Sequence, residues 1–293
     1  MRVFVTGATG FIGSALAKEL IEAGHQVLGL ARSETGAASL VAAGAQVQRG
    51  DLENLDSLKS GAADADAVVH LGFIHDFSNF QKNCEIDRRA IEAMGSELAG
   101  SDRPLIVTSG LALLADGRLA TEDDVPPPVS DSYPRASEEA AAAFENRGVR
   151  TMVVRLPQVH DTVKQGLVSY AIQIARQKGV SAYIGEGQNR WAAAHRSDAA
   201  HLYRLALEKG HAGARYHAVA EEGVPARQIA EAIGRGLNVP VVSLKTEEAA
   251  EHFGWLARFA GRDLAGSSAK TRAQLGWEPT GPGLIVDLEN MRY

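Results

Sequence analysis

The 293-residue sequence is poor in cysteine: Cys84 stands alone, and no group of Cys and His residues has the spacing of a structural zinc site. One thiol cannot close an internal disulfide, so a reducing compartment and no metal are expected. No apolar run approaches the roughly 18 residues that a membrane span requires, which argues against insertion in a bilayer. The opening Met1-Arg2-Val3-Phe4-Val5 is far shorter than a signal-peptide core and lacks a cleavage site, so it reads as a strand and points to the cytoplasm. Blocks of like charge are missing as well. The 30 basic and 36 acidic residues are interspersed, and with a net charge of −6 no segment concentrates Lys or Arg. Nucleic acid and anionic membrane are therefore not expected as partners.

What is present is a rhythm. Short β-branched runs at about 2–6, 26–31, 46–49, 67–71, 104–108 and 150–155 alternate with helical stretches at about 12–23, 34–43, 53–60, 80–99 and 136–147. Strands separated by helices imply parallel pairing through right-handed crossovers, hence an α/β fold with a doubly wound parallel sheet of the Rossmann type. Beyond Arg155 the alternation loosens, with further helical patterns near 197–209, 225–236 and 246–260. We therefore expect a dinucleotide-binding domain over 1–157 and a smaller C-terminal substrate lobe over 158–293, in which about 192–219 packs back on the first domain.

Thr6-Gly7-Ala8-Thr9-Gly10-Phe11-Ile12-Gly13 follows the first predicted strand and opens the first predicted helix. In that setting Gly7 permits a tight turn, Gly10 lets the backbone approach a pyrophosphate, and Gly13 lets the helix pack closely on the sheet. The helix start, with Phe11 and Ile12, offers free N–H groups and a positive dipole end. After the second strand stand Arg32 and Ser33, where an NAD-selective protein places an acidic residue. A guanidinium suits a 2′-phosphate, so NADP is favoured, with NAD as second choice. Asp51, followed by Leu52, either accepts from an adenine amino group or caps the next helix.

These residues resemble the short-chain dehydrogenase/reductase superfamily in its extended form, which includes nucleotide-sugar epimerases and dehydratases, over nearly the entire chain. Asp66-Ala67-Val68-Val69-His70-Leu71-Gly72 is similar to the family's fourth strand. The resemblance implies that Leu71, Gly72 and Phe73 lie under the adenosine ribose and phosphates. Leu105-Ile106-Val107-Thr108-Ser109-Gly110 is similar to the fifth strand, which implies a catalytic Ser109 with Thr108 beside the cofactor. Arg155-Leu156-Pro157 is similar to the segment beside the nicotinamide, and His195-Arg196-Ser197-Asp198 to a later helix start that Asp198 is expected to cap. The family's Tyr followed four residues later by Lys is broken: Tyr133 has the right surroundings, but position 137 is Ser. An alternative alignment sets Glu138 in place of the lysine. The chain thus resembles the atypical short-chain dehydrogenases.

In the mechanism this resemblance implies, a Tyr hydroxyl protonates a substrate carbonyl as hydride arrives from the nicotinamide, and a Ser hydroxyl steadies the same oxygen. Tyr133 and Ser109 are the expected pair. Without an ammonium at position 137, Tyr133 suits proton donation better than proton abstraction, and Arg135 lies within reach of the phenol. His75, His160 and His195 are candidate pocket residues, because imidazole titrates near neutrality. Trp191 either lines the pocket or fills the core between the lobes. The leading expectation is an NADP-dependent reductase of a small carbonyl compound. The alternatives are a nucleotide-sugar epimerase or dehydratase and a non-catalytic NAD(P)-binding sensor. A homodimer through the helices near 80–99 and 136–147 is expected, with the Ala140–Ala143 face admitting close approach.

Overall fold

The computed structural model describes residues 1–115 and 117–293. Its first half is β1 (Arg2–Thr6), α1 (Phe11–Glu22), β2 (Gln26–Ala31), α2 (Glu34–Ala42), β3 (Gln46–Arg49), α3 (Leu55–Ala63), β4 (Ala67–His70), α4 (Phe80–Leu98), β5 (Pro104–Gly110), α5 (Ser137–Ala142) and β6 (Arg150–Leu156). Then follow β7 (Gln158–His160), α6 (Val168–Lys178), β8 (Ser181–Ile184), β9 (Arg190–His195), α7 (Arg196–Lys209), β10 (Ala214–His217), β11 (Glu221–Pro225), α8 (Ala226–Leu237) and β12 (Val241–Leu244). The short helices α9 (Ala249–Phe253), α10 (Ala257–Ala260), α11 (Ala269–Leu275) and α12 (Leu284–Asn290) complete the chain.

Seven parallel strands form the central sheet in the order β10-β6-β5-β4-β1-β2-β3. This is the doubly wound Rossmann arrangement. The alternation of side chains along a strand explains the two layers. Val3 and Val5 of β1 enter one core with Leu16 of α1 and Leu202 of α7, while Phe4 between them enters the other with Leu58 of α3 and Ile91 of α4. All of these are fully buried, as a sheet covered on both faces requires, at roughly 1.5–3 kcal/mol of stabilisation per large apolar side chain. A third core, with Ile172, Trp191, Ile229, Phe253 and Leu284, holds the C-terminal segments together. There β11, β9 and β7 form a three-stranded sheet and β12 pairs with β8.

Several expectations are corrected. A seventh strand, β10, extends the sheet beside β6; its Ala-Arg-Tyr-His sequence is too short and too polar to stand out. The helix expected over 136–147 stops at Ala142 and gives way to a 3-10 turn at Glu145–Arg147. Ala140 and Ala141, expected to admit a partner helix, are buried in the chain's own core with Phe144, leaving Ala142 and Ala143 outside. The helix expected over 246–260 is broken into short pieces at Gly254, whose φ of +55° an α-helix cannot accommodate. Among the described residues no helix is long and apolar enough to cross a membrane.

Candidate active site

Between β1 and β4 the chain connections leave in opposite directions, which opens a crevice at the carboxyl ends of these two strands. Gly7 forms its floor. Its φ of +67° is strained for any residue with a side chain, and a Cβ there would come within 2.8 Å of the Gly72 amide nitrogen. A Cβ at Gly13 would overlap the Gly7 carbonyl oxygen, so the helix can sit this close only as glycine. Gly10 caps α1 in an extended conformation without a side chain, and the Phe11, Ile12 and Gly13 amides begin the helix with no backbone acceptor. The first turn contains no acidic residue. Two cations add to the positive end: Arg196 lies 5.1 Å and Lys164 5.9 Å from the Phe11 ring centre. Free amides, an uncompensated dipole and these charges fit a pyrophosphate.

The residues expected around the rest of a dinucleotide border the same crevice. Thr9 is exposed, and its methyl lies near Gly36, whose amide donates to the Ser33 hydroxyl at 3.1 Å. Arg32, at the end of β2, is exposed and makes no hydrogen bond or ion pair with another described residue. Leu52 packs against Gly72. Asp51 accepts from the Glu53 and Asn54 amides at 2.9 and 3.0 Å, but the cap of α3 is Asn54, whose side chain accepts from Ser57. Thr6 does not open onto the crevice. It is fully buried, with its hydroxyl between the Gly72 amide at 3.0 Å and His70 Nδ1 at 2.7 Å.

At the carboxyl end of β5 the side chains diverge, because neighbours on a strand face opposite ways. Thr108 Oγ1 donates to the His70 carbonyl at 2.7 Å and lies 2.7 Å from the Tyr203 hydroxyl. Ser109, expected to steady a substrate oxygen, is 3% exposed, and its hydroxyl helps to hold the Glu138 carboxyl down. Glu138 in turn accepts from the fully buried Arg155 by two bonds of 2.8 Å. Burial pushes the Glu138 carboxyl upward, but the bonds from Arg155 and Ser109 outweigh it and the net direction is downward. Tyr133 is half-buried after a tight turn in which its amide and carbonyl pair with those of Ser130 at 3.0 and 2.9 Å. Burial raises the pKa of its phenol, while the positive charge of Arg135 draws it back down and Glu138 raises it.

Arg135 connects these parts. Its Nε donates to Ser137 Oγ at 3.2 Å, its Nη2 donates to the Thr108 carbonyl at 3.1 Å, and its guanidinium lies 4.7 Å above the Phe73 ring. Ser137 donates to Asp87 Oδ2 at 2.6 Å, and Asp87 Oδ1 lies 3.1 Å from His70 Nε2. A buried chain thus runs from Arg135 through Ser137, Asp87 and His70 to Thr6. Asp87 lacks any local sequence signature, because its partners lie far away along the chain; Arg135 had only its closeness to Tyr133 to mark it.

The remaining candidates separate. The His75 ring meets Phe73 edge-on at 5.3 Å, and its pKa is lowered, first by desolvation and then by the charges of Arg135 and Lys164. His160 does not face a pocket: it is fully buried, with Nδ1 2.6 Å from Asp287 and Nε2 3.8 Å from Glu221. His195 is the cap of α7, accepting from the Ser197 amide at 3.3 Å. Asp198 is therefore not the cap; its carboxylate accepts from the Thr280 and Gly281 amides at 3.0 and 2.9 Å. Trp191 is 4% exposed and belongs to the third core.

The family model described as "NAD dependent epimerase/dehydratase family" matches residues 3–220. An uncharacterized protein of Schizosaccharomyces pombe is 51% identical over 297 residues, covering 100% of both chains. A 4-hydroxy-2-methyl-3-oxo-4-farnesyl-3,4-dihydroquinoline-1-oxide ketoreductase of Stigmatella aurantiaca is 26% identical, over 94% of this chain and 92% of the relative. The crystal structure of UDP-glucuronic acid 4-epimerase from Bacillus cereus, in complex with UDP-glucuronic acid and NAD, superposes with a TM-score of 0.76 at 19% identity. That superposition covers 99% of this chain and 97% of the epimerase.

Proposed function

The chain belongs to the NAD dependent epimerase/dehydratase family, and on that premise we propose that it is an NADP-dependent reductase of a small carbonyl compound, with Tyr133 as the proton donor. The observation that carries this reading is the state of the Tyr133 phenol. A phenol is neutral at physiological pH, the form that donates a proton, and burial moves its pKa further upward. An epimerase or dehydratase must first oxidise its substrate and needs a base at this point; a phenol with a raised pKa serves that purpose poorly.

The residues divide the work. The Phe11, Ile12 and Gly13 amides hold the pyrophosphate, with Lys164 and Arg196 adding positive charge, and Arg32 receives the 2′-phosphate. Bound in this way, NADPH supplies hydride. Tyr133 donates its hydroxyl proton to the substrate oxygen, and the His75 ring lies against Phe73. Ser109 lies buried at the end of β5, and Glu138 holds Arg155, which fixes that end beneath the reacting groups. The resemblance to a ketoreductase supports a carbonyl substrate. The test is consumption of NADPH by the purified protein with a panel of ketones, aldehydes and imines. Turnover on at least one ketone or aldehyde is expected; tight cofactor binding without turnover on any compound would favour a sensor.

A further inference from the structure

The cations beside the first turn of α1 come from distant parts of the chain, and one carboxylate holds both in place. β7 and β9 pair in parallel with His160 opposite His195, so the next residue on each, Asp161 and Arg196, leave the sheet side by side. Arg196 Nη1 donates to Asp161 Oδ2 at 3.1 Å. Its Nη2 donates to Ser14 Oγ at 3.0 Å, on the exposed face of α1, so the guanidinium is tied from two separate elements while lying 5.1 Å from the Phe11 ring centre. The other carboxylate oxygen of Asp161 accepts from the Val163 and Lys164 amides at 2.7 and 2.9 Å, which closes the turn carrying Lys164. Arg196 Nε, in contrast, is buried and has no acceptor among the described residues. A buried donor is normally bonded, so this one calls for an acceptor from outside the chain.

We infer that Asp161 is a positioning residue of the cofactor site: with Ser14 as second support, it fixes the Arg196 guanidinium so that Nε donates to a phosphate oxygen of the dinucleotide. The inference rests on the reading of the α1 cradle as a pyrophosphate site, and adds to it a ligand and a support from outside the glycine-rich turn. It also accounts for a carboxylate beside an anion site. Alone, Asp161 repels phosphate; paired with Arg196, it gives up part of the cation's charge for a fixed direction, and a donor ordered in advance costs less to engage.

The test turns on the sign of an effect and needs no turnover. Calorimetry follows the binding of ADP-ribose, which carries the pyrophosphate but no nicotinamide. If Asp161 acted only as a nearby negative charge, Asp161→Asn would strengthen binding. As a positioning residue it is expected to weaken binding about fivefold, because Asn keeps an oxygen for the two turn amides but gives up the carboxylate that holds Arg196. Arg196→Ala is expected to weaken binding about tenfold to a hundredfold, the worth of a charge-assisted bond. In the Arg196→Ala background Asp161→Asn is expected to cause no further weakening, whereas a merely structural role weakens binding in both backgrounds. Ser14→Ala, at an exposed helix position that suits alanine, repeats the comparison if Asp161→Asn does not fold. Binding that is unchanged or tighter in the support variant, or weakened equally with and without Arg196, would overturn the assignment alone. A native protein that binds neither ADP-ribose nor NADPH overturns the cradle reading and this inference with it, and one that shows the expected coupling but reduces no carbonyl sinks only the reductase reading.

Discussion

The Ser137 hydroxyl donates to Asp87 Oδ2 at 2.6 Å across 50 residues of sequence, joining the start of α5 to the middle of α4. Asp87 is 2% exposed and also pairs with His70, so truncating it strands two buried polar groups. Asp87→Ala is expected to destabilise the fold by about 3 kcal/mol, with Asp87→Asn costing less because it keeps shape and partial bonding. Urea unfolding measures this; a loss below about 1 kcal/mol for the alanine variant contradicts a buried network. Burial alone pushes the Asp87 carboxyl up, but the His70 bond and the charges of His70 and Arg135 bring it below 3.8. Its contribution is then complete above the unfolded value of 3.8 and is lost as pH falls below it.

A buried histidine loses stability in the same direction, in a higher window. His217 is fully buried; its Nδ1 lies 2.8 Å from the Ser267 carbonyl and its Nε2 3.2 Å from Arg155 Nη1. The neutral ring donates to Ser267 and accepts from Arg155, an arrangement that protonation destroys. Burial first, then Arg155, lowers its pKa to about 4 from 6.5. The unfolded chain therefore binds a proton that the folded chain refuses, so stability is complete above pH 6.5 and declines as pH falls toward 4. The decline amounts to about 3 kcal/mol at 1.36 kcal/mol per pH unit. His217→Gln is expected to lower stability at pH 7 and to flatten this decline. Parallel Tm-versus-pH curves for the two proteins would refute it.

Legibility followed the range of the interactions. The turn from Gly7 to Gly13 could be read directly, because its backbone demands are met by residues a few positions apart. The first six strands could be read from their alternation with helical stretches, and the family-model match over residues 3–220 takes in all but the first residue of β1. The burial of Ser109 could not be read from the sequence, because a strand-end serine faces either side of the sheet. His160 looked like a pocket residue because nothing local reveals Asp287, 127 residues further along. The support of Arg135 depends on Thr108, Phe73, Ser137 and Asp87 meeting in space, which no local spacing encodes.

Arg32 bears on the choice of cofactor. It is exposed at the end of β2 and has no partner among the described residues, so its charge is available to a ligand. If it receives a 2′-phosphate, Arg32→Ala removes a charge-assisted bond that NADH never makes. Calorimetry is expected to show NADPH affinity falling about tenfold to a hundredfold, in line with roughly 1.5–3 kcal/mol for such a bond. NADH affinity is expected to stay nearly constant. Equal losses for the two nucleotides would withdraw the argument for NADP.

Tyr133→Phe isolates proton donation from architecture. The phenol occupies a half-buried position after a turn closed by backbone bonds to Ser130, and those bonds do not involve the hydroxyl. Phenylalanine therefore keeps the turn and nearly all of the volume. Only the proton and its oxygen are lost. General acid catalysis contributes about 10²–10⁴-fold, so kcat is expected to fall by that order while the Kd for NADPH changes by less than about twofold. The Tm is expected to remain within a few degrees of the parent, since no buried partner of the hydroxyl is stranded. Full activity in the variant would remove Tyr133 from the mechanism and direct attention to His75, whose ring meets Phe73.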